Sequence, residues 1–391
     1  MAKEPKFDGR PVWAEISTAA LEHNLRAIRA RVGDRRVLCI VKANAYGHGA
    51  TGVAKALERA GADCFGVTCV AEGVELRDTG IRKPILVLTG CWPGEEKNLL
   101  AHRLTPAITR LEQLRDLDRA AKKLKAKRPA EFHLKVDTGM NRLGITPADV
   151  KRFIADLADC KHVRMAGIFT HFASAEDFEQ EQTERQQMQF AEVLKELRAS
   201  RVDHGIAHMA NSAGIAARPN TWADMVRPGA ILYGYHQFYH PPEREAEMRA
   251  KMELQPALSL RTRVILLRDV PAGEGVGYNA RFIPGRASRV AVIAAGYADG
   301  LVRQRCNRDG KNPVSKVIVR GRCAPLVGTI SMDLAMVDMT DVPGVAVGDV
   351  VTIYGADGCA IHANDVAREL GTVTSDLLCA IGKRVPRFYL P

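Results

Sequence analysis

Between residues 37 and 235 the sequence alternates short, β-branched apolar runs with stretches in which apolar residues recur with a period of about 3.6. This alternation predicts parallel strands connected by crossover helices. There are eight such runs, and eight strands favour a closed (β/α)8 barrel over an open sheet. The predicted strands are VLCIVK (37–42), CFGVTCV (64–70), PILVLTG (84–90), TPAIT (105–109), FHLKVD (132–137), RMAGIFTH (164–171), IAHMAN (206–211) and MVRPGAIL (225–232).

The first helix is predicted at 18–32, where Leu21, Leu25 and Ile28 share one face. Gly33 follows as a stop signal. This helix precedes the first predicted strand of the barrel.

After about residue 250 the sequence changes to strand-like runs separated by turns, and helical periodicity is confined to HANDVAREL (362–370). Consecutive strands of this kind predict a second, mostly β domain. We therefore predict an α/β fold with a TIM-like (β/α)8 barrel over 1–245, a C-terminal β domain over 246–391, and residues 1–17 able to pack with the β domain. The strand-like runs are ALSLRTRVILLRDV (257–270), RVAVIAAGYA (289–298), KVIVRG (316–321), AMVDMT (335–340) and DVVTIYG (349–355).

Lysine and arginine outnumber aspartate and glutamate by 56 to 45, which gives a formal net charge of +11. The excess is dispersed along the chain, and its densest stretch, AAKKLKAKRP (120–129), is typical of the polar face of an amphipathic helix. Because no arginine-rich tail and no zinc-finger spacing is present, we predict no nucleic-acid partner and no metal. A general attraction for small anions fits the charge equally well.

Nine cysteines are scattered without a CxxC pair, and several, such as Cys39 and Cys64, lie within apolar runs. This pattern predicts free thiols and a cytoplasmic location. The start of the sequence, MAKEPKFDGR, predicts no signal peptide. No apolar run reaches the length of about 18 residues that a membrane helix needs, so no membrane partner is expected.

The active site of a (β/α)8 barrel lies at the C-terminal ends of its strands. Predicted strands end at Lys42, Asp137, His171 and Asn211, and Arg142 follows the fifth strand. Lys42 comes directly after a buried run and shortly before two glycines. A lysine after a strand is commonly a surface residue, but a partly desolvated lysine at this position is suited to Schiff-base chemistry.

The fifth predicted strand places His133, Lys135 and Asp137 on one face and apolar residues on the other. Because the outer face of a barrel strand packs on helices, the polar face is predicted to point into the barrel. A lysine there needs a neighbouring acid or a chemical modification, and both alternatives stay open.

Nine motifs, in one order along nearly the whole chain, closely resemble those of the alanine racemases. These are enzymes that carry pyridoxal 5′-phosphate (PLP) in a (β/α)8 barrel followed by a β domain. The resemblance implies PLP-dependent interconversion of L-alanine and D-alanine by a homodimer with shared active sites, which in bacteria supplies D-alanine for peptidoglycan. The motifs are VKANAYGHG (41–49), KVDTGMNRLG (135–144), THFASAED (170–177), HMANS (208–212), VRPGAILYG (226–234), GVGYNARF (275–282), GYADG (296–300), GTISMD (328–333) and KRVPR (383–387).

The same resemblance implies roles for individual residues. Lys42 would hold the cofactor and act as one acid/base, and Tyr278 of the other subunit would be the opposite acid/base. Arg227 would face the pyridine nitrogen, and His171 would hydrogen-bond Arg227 or support the second base. The implied cofactor-binding residues are Lys42, Tyr46, His171, Asn211, Ser212, Arg227, Gly229 and Ala230, the last two through their backbone N–H groups.

For the substrate, the resemblance implies that Arg142 and the backbone near Met332 receive the carboxylate. Asp333 would position the loop on the substrate side, and Tyr297 would narrow the entrance. Lys135 matches a lysine that is N-carboxylated in some members of the family, where it positions the arginine that corresponds to Arg142.

Racemisation removes a proton from one face of the α-carbon and returns a proton to the other face. Two acid/base groups should therefore flank the substrate, and Lys42 and Tyr278 meet this need. An arginine opposite the pyridine nitrogen disfavours protonation of that nitrogen, which weakens the electron sink and limits side reactions.

One position departs from the family. Many members have a tyrosine that contacts the phosphate, whereas TVTSD (372–376) places Ser375 there, with a shorter side chain. A second interpretation also stays open for Asn211 and Ser212, which could cap the following helix.

Other functions are also compatible with parts of this sequence. Serine or a broader set of amino acids is possible for the same fold. A non-catalytic PLP-binding protein would lack the β domain, and the motifs GVGYNARF and GTISMD do not resemble those of basic amino-acid decarboxylases. A nucleic-acid binder would be supported by net charge alone.

Overall fold

In the computed structural model, which describes residues 9–307, 312, 315–355 and 361–391, the chain divides into two units. We call them the barrel unit (20–45 and 50–255) and the β unit (the described residues up to Ala19, 46–49 and 256–391). The start of the predicted N-terminal segment, residues 1–8, lies outside the described residues.

The barrel unit contains all eight predicted strands, each paired in parallel with its neighbour. The sheet runs from the last strand through the first seven, and backbone hydrogen bonds from Asp224 N to Ala207 O (3.1 Å) and from Arg227 N to Ala210 O (3.0 Å) nearly close it. The predicted barrel is therefore confirmed. Its strands are β2 (Arg36–Ile40), β3 (Cys64–Val67), β4 (Ile85–Val87), β5 (Thr105–Ile108), β6 (Ala130–Lys135), β7 (Val163–Phe169), β8 (Ile206–His208) and β9 (Met225–Val226), where β1 belongs to the β unit.

Helices connect these strands and cover the outside of the sheet, except α2, a single turn after β2 whose residues 43–46 have φ angles of 52–54° and do not form a right-handed helix. The first helix spans the predicted 18–32 and buries Leu21, Leu25 and Ile28. The helices are α1 (Thr18–Val32), α2 (Lys42–Tyr46), α3 (Ala50–Arg59), α4 (Val70–Asp78), α5 (Glu96–Ala101), α6 (Leu111–Lys123), α7 (Val150–Asp159), α8 (Gln182–Ala199), α9 (Ser212–Ala217) and α10 (Glu243–Lys251).

The inside of the barrel contains polar groups as well as aliphatic ones. His133 on β6 lies opposite Gly167 on β7, and its Nδ1 is 2.9 Å from Nε2 of His208. A Cβ at position 167 would lie 2.5 Å from the His133 ring, so glycine makes room for this imidazole. The predicted inward orientation of the polar face of β6 agrees with this contact.

The β unit contains one sheet of eight strands, mostly antiparallel. Its first strand pairs with both the longest strand and the C-terminal strand. Two short helices, α11 (Ala363–Glu369) and α12 (Thr374–Cys379), follow the seventh strand of this sheet along the chain. The strands are β1 (Val12–Ser17), β10 (Leu258–Val270), β11 (Ser288–Ile293), β12 (Lys316–Val319), β13 (Arg322–Val327), β14 (Ala335–Asp338), β15 (Val350–Tyr354) and β16 (Arg387–Leu390).

Four elements of this unit were not predicted from the sequence: the strands β1, β13 and β16 and the helix α12. β13 contains Pro325, which argues against a strand in a sequence because proline cannot donate to the ladder, yet β13 pairs with both β12 and β14. The helix α12 is only six residues long, too short to show a helical period. Within the described residues no helix has the length and apolar character that crossing a membrane requires.

Candidate active site

Lys42 follows β2 and begins a turn of unusual backbone geometry. Ala43, Asn44, Ala45 and Tyr46 have φ angles of 52°, 54°, 54° and 52°. The left-handed conformation costs a non-glycine residue on the order of 1 kcal/mol. Four such residues in succession need contacts that hold them, and strain of this kind concentrates at functional sites.

Two side chains of the barrel unit hold this turn. The Glu72 carboxylate accepts hydrogen bonds from the N–H groups of Ala43 and Thr68, both at 2.7 Å. Asn44 Oδ1 accepts one from the N–H of Ala50 at 2.8 Å. These bonds fix the backbone directly after the predicted cofactor lysine.

In the β unit, strand β16 holds the residues that follow the turn. Arg387 donates to Gly47 O from Nε (3.1 Å) and from Nη2 (3.0 Å). The Tyr389 hydroxyl lies 3.2 Å from His48 O and 3.1 Å from Gly49 O, and it donates to them. The C-terminal strand thereby anchors the end of the motif that begins at Val41.

Arg227 directly follows β9 and is buried inside the barrel with no carboxylate within 4.0 Å among the described residues. Its Nη2 donates to Thr170 O and Met209 O, both at 2.8 Å. Nη2 has only two hydrogens, so its contact with His171 Nδ1 at 3.2 Å shares one of them, whereas Nη1 donates to His208 Nδ1 at 3.1 Å. Its Nε has no hydrogen-bond partner among the described residues.

The guanidinium fixes the protonation of the imidazoles around it. Because arginine can only donate, His171 and His208 accept through Nδ1, and each neutral ring carries its hydrogen on Nε2. Burial and then the charge of Arg227 lower the pKa of both histidines well below the usual value. Burial also lowers the pKa of Arg227 itself to about 9, which leaves it charged at neutral pH.

Lys135 lies inside the barrel, 6% exposed. Its Nζ donates to Val136 O at 3.1 Å and lies 5.3 Å from the centre of the Phe169 ring. No carboxylate lies within 4.0 Å of it in the described part of the chain, so one of the two predicted alternatives, a paired acid, is not met. Burial and then Arg227 lower the pKa of Lys135 to about 7.

Asp137 ends the fifth predicted strand, and its carboxylate accepts hydrogen bonds from four backbone N–H groups of the loop that follows. Its Oδ1 accepts the N–H groups of Gly139, Met140 and Asn141 at 2.9, 2.9 and 3.0 Å. Its Oδ2 accepts that of Arg142 at 2.9 Å. Burial alone would raise the pKa of Asp137, but these four hydrogen bonds outweigh it, so the pKa is lowered. The carboxylate therefore shapes the loop that carries the exposed Arg142.

Asn211 and Ser212 lie at the N-terminus of α9. Asn211 Oδ1 accepts the Gly214 N–H at 3.0 Å, which is the capping role that the sequence left open. Ser212 Oγ accepts the Gly229 N–H at 2.9 Å. That N–H, predicted for the cofactor phosphate, is therefore bonded within the protein here. Ala230 begins a short 3-10 helix.

In the β unit, Tyr278, Tyr297 and Met332 line one hollow of about 550 Å³. Tyr278 is 68% exposed, and the other two are 40% and 52% exposed. Backbone hydrogen bonds from Tyr297 N to Ser331 O and from Ala298 N to Met332 O, both 3.1 Å, join the two loops. The motifs GYADG and GTISMD thus form one surface of this unit.

Asp333 belongs to an ion-pair network of the β unit. Arg384 donates to Asp333 Oδ1 and to Asp299 Oδ1, both at 2.8 Å. Arg10 donates to the Asp333 carbonyl at 2.6 Å and to Asp299 Oδ2 at 3.2 Å. Asp299 is fully buried and also accepts the N–H of Gly296 at 3.0 Å. The network fixes the loop that ends at Asp333.

Tyr46 and Ser375 both lie in the β unit. Tyr46 is half-buried, and burial raises its pKa to about 12, with a smaller contribution from Cys379. Ser375, at the position where many relatives have a tyrosine, lies half-buried in α12.

Several residues of the site were not selected from the sequence. His208, Glu72, Arg384 and Arg387 each hold a predicted residue or its loop. His208 and the two arginines stand inside quoted motifs, so the motifs carried a signal for them. Glu72 had none, because it acts on the backbone of a distant turn. Among the described residues no cluster of three or more His, Cys, Asp or Glu is placed to hold a metal ion.

Comparison with known proteins gives consistent matches for both units. Residues 16–237 match the family model for the alanine racemase N-terminal domain, and residues 257–389 match that for the C-terminal domain. Similar proteins include the alanine racemases of Geobacter sp. (strain M21) and Geobacter sulfurreducens. The first is 39% identical, with 98% of this chain and 100% of the relative covered, and the second is 40% identical, with 98% of each covered. An alanine racemase structure from Clostridium difficile 630 superposes with a TM-score of 0.89 at 33% identity, covering 98% of this chain and 97% of that chain.

We predict that the free energy of unfolding depends on pH in the alkaline range because of Lys135. Its pKa is about 7 in the folded chain against the ordinary 10.5, so between these values the unfolded chain binds a proton that the folded chain does not. The stability of the wild type should therefore rise with pH through this window, by at most about 1.4 kcal/mol per pH unit from this group.

Urea unfolding from pH 7.5 to 9.5 in buffer free of dissolved CO2 measures this rise. Lys135→Met should flatten the profile relative to the wild type, whereas Lys151→Met, which changes an exposed lysine, should leave it unchanged. Parallel profiles for wild type and Lys135→Met would show that the amine is not desolvated.

Proposed function

The chain belongs to the alanine racemase family of isomerases, and we propose that it interconverts L-alanine and D-alanine with PLP as cofactor. The observation that carries the proposal is the placement of Lys42 and Arg227. They follow strands β2 and β9, which are neighbours in the sheet, at the end of the barrel where such folds place catalysis.

The residues at this end fit the cofactor. Loops after the seventh and eighth barrel strands commonly bind phosphate together with a short extra helix. Here the corresponding loops carry Ser212 and Ala230, each at the start of a short helix. The Ser212 oxygen accepts the Gly229 N–H, which leaves its O–H to donate to a phosphate. We infer that Asn211 and Tyr46 complete this binding, with Ser375 as a shorter replacement for the usual tyrosine. The N–H of Gly229 would join them only by exchanging its bond to Ser212 for one to the phosphate.

Bound PLP supplies the electron sink for removal of the α-proton. Arg227 would donate to the pyridine nitrogen, because its Nε has no other partner among the described residues. Since a guanidinium donates and stays charged, it opposes protonation of that nitrogen. His171 and His208 hold the guanidinium in place. By opposing that protonation, Arg227 would weaken the electron sink and favour return of the proton over competing reactions.

Two groups move the proton. Lys42, which also holds the cofactor, serves one face of the α-carbon, and Tyr278 of a second copy serves the other. The charges of Arg227, Arg142 and Lys42 all lower the pKa of His171, so the barrel site is positive even without Lys135. A positive site favours the unprotonated form of a lysine base and attracts the carboxylate of the substrate.

The exposure of Tyr278 supports a homodimer. A tyrosine that exchanges a proton with carbon needs a site protected from water, yet Tyr278 is 68% exposed in the isolated chain. Ile283 and Met332 of the same unit are 57% and 52% exposed. Burial of these side chains by a second copy would complete the site and remove the apolar surface from water.

For the substrate we assign Arg142 and the Met332 backbone to the carboxylate, Asp333 to positioning of the loop, and Tyr297 to the narrow entrance. N-carboxylation of Lys135 would add an anion near Arg227 and Arg142, where the described residues pair no acid with the lysine. A role in supplying D-alanine for peptidoglycan and a cytoplasmic location complete the proposal. The eight described cysteines are all free thiols, as a reducing compartment requires.

The reaction is tested by circular dichroism of the purified protein with L-alanine and with D-alanine. Wild type should racemise both. Lys42→Ala should lose the visible absorbance of the bound cofactor and at least about 1,000-fold in kcat, whereas Lys55→Ala, on the outer helix α3, should lose neither. Tyr278→Phe should keep the absorbance and lose about 100-fold or more in one direction of proton abstraction. Cofactor binding without racemisation of either enantiomer would refute the reaction, and serine would be tested next.

Sharing of the site between subunits is tested by complementation. Co-expressed Lys42→Ala and Tyr278→Phe chains, carrying different tags, form mixed dimers with one intact site if Tyr278 crosses to the partner. Random assembly should then restore about a quarter of wild-type activity, because about half of the dimers are mixed. If both residues act within one chain, the mixed dimers stay as inactive as the parents.

A further inference from the structure

The barrel encloses a cavity at its N-terminal end, opposite the end that carries Lys42. Its volume is about 310 Å³, and every one of the eight strands contributes a residue to its lining. Arg36, Thr105 and Met225 belong to the first two residues of their strands, which fixes the cavity at the mouth of the barrel. Sites for small ligands begin at about 300 Å³, so the cavity is large enough for a compact molecule.

The inner end of the cavity offers one hydrogen-bond donor. Arg227 donates to His208 Nδ1, so neutral His208 carries its hydrogen on Nε2. That hydrogen is directed to His133 Nδ1, 2.9 Å away, which leaves the hydrogen of neutral His133 on Nε2. His133 is 8% exposed and lines the cavity, and no described residue accepts a hydrogen bond from its Nε2. His133 Nε2 is not among the fully buried unpartnered atoms of the described residues, so it is accessible from the cavity, where a ligand acceptor would bond it.

The outer end of the cavity carries an excess of positive charge. Its two acids are already paired: Asp63 with Arg29 at 2.9 Å, and Glu131 with Arg164. Arg36 has no carboxylate within 4.0 Å among the described residues. The unpaired charge that remains at this mouth is therefore that of a cation.

The electrostatic environment of Cys64, another lining residue, agrees with this excess. Burial and then Asp63 raise the pKa of the thiol to about 12, and three cations, Arg36, Lys83 and Arg29, act against them. Between these polar ends the walls are apolar and include Leu38, Ile85 and Met225.

We propose that this cavity is a second ligand site, which binds a small monoanion with an apolar body, such as a short branched or aromatic carboxylate. The carboxylate accepts the hydrogen bond of His133 Nε2 or pairs with Arg36, and the body lies against the apolar walls. A dianion or a bulky polar molecule is disfavoured, because only one cation is unpaired and the walls offer few other partners.

Two measurements on the protein purified with its cofactor test this site. Crystals soaked in 4-bromobenzoate should show an anomalous bromine peak within the cavity at the N-terminal mouth. In solution, calorimetry should show that 4-bromobenzamide, an uncharged analogue, binds at least about tenfold more weakly than the acid.

Variants separate this site from the carboxylate site proposed near Arg142. Arg36→Met removes the charge but keeps an apolar side chain of similar reach, and it should weaken the mouth site about tenfold. Arg152→Met, which removes an exposed arginine on α7, changes the net charge equally and should leave affinity unchanged. Ala166→Leu should fill the cavity and abolish the bromine peak. If this variant fails to fold, Arg36→Met still tests the site, because Arg36 is exposed and its replacement should not affect folding.

A bromine peak found only near Lys42 and Arg142 would overturn the proposal, as would an empty cavity at saturating acid. Equal loss of affinity in Arg36→Met and Arg152→Met would show attraction by net charge alone and would also overturn it. None of these outcomes depends on racemase activity, so failure here is distinguishable from failure of the proposed function.

Discussion

A buried guanidinium with no acid beside it among the described residues determines the chemistry of the barrel. Burying a charge is expensive unless hydrogen bonds replace the lost water, and Arg227 obtains them from two carbonyls and two imidazoles. Burial and then its charge lower the pKa of His171, His208 and Lys135. Burial and this one arginine thus together set the protonation states at this end of the barrel.

A second constraint acts on the backbone. The left-handed turn that follows Lys42 contains no glycine until Gly47, so its strain must be offset by contacts. Glu72 holds its beginning within the barrel unit, and Arg387 and Tyr389 hold the residues after it within the β unit. Contacts within the barrel unit therefore hold residues 43–45, and contacts within the β unit hold residues 47–49.

The sequence was sufficient for much of the fold. Short apolar runs identified all eight barrel strands, because burial on both faces of a barrel strand selects apolar residues along its whole length, and a period of 3.6 identified the helix at 18–32. The strand β13 was not predicted because it contains Pro325, and proline disfavours a strand when only the local sequence is considered. In the folded sheet the other residues of β13 still pair with β12. The turn after Lys42 was also not predictable, because Ala and Asn carry no signal for left-handed geometry in succession. Asp137 was assigned to the rim, but its carboxylate is used by its own loop.

Neutron diffraction from a deuterium-exchanged crystal tests the central claim most directly, because it locates the hydrogens around Arg227. The account predicts a fully deuterated guanidinium, deuterium on Nε2 of His208 and of His133, and a bare Nδ1 on both His171 and His208. Deuterium on both ring nitrogens of His171 or His208, or on Nδ1 of either, would contradict the claim that Arg227 keeps these imidazoles neutral and fixes their tautomers.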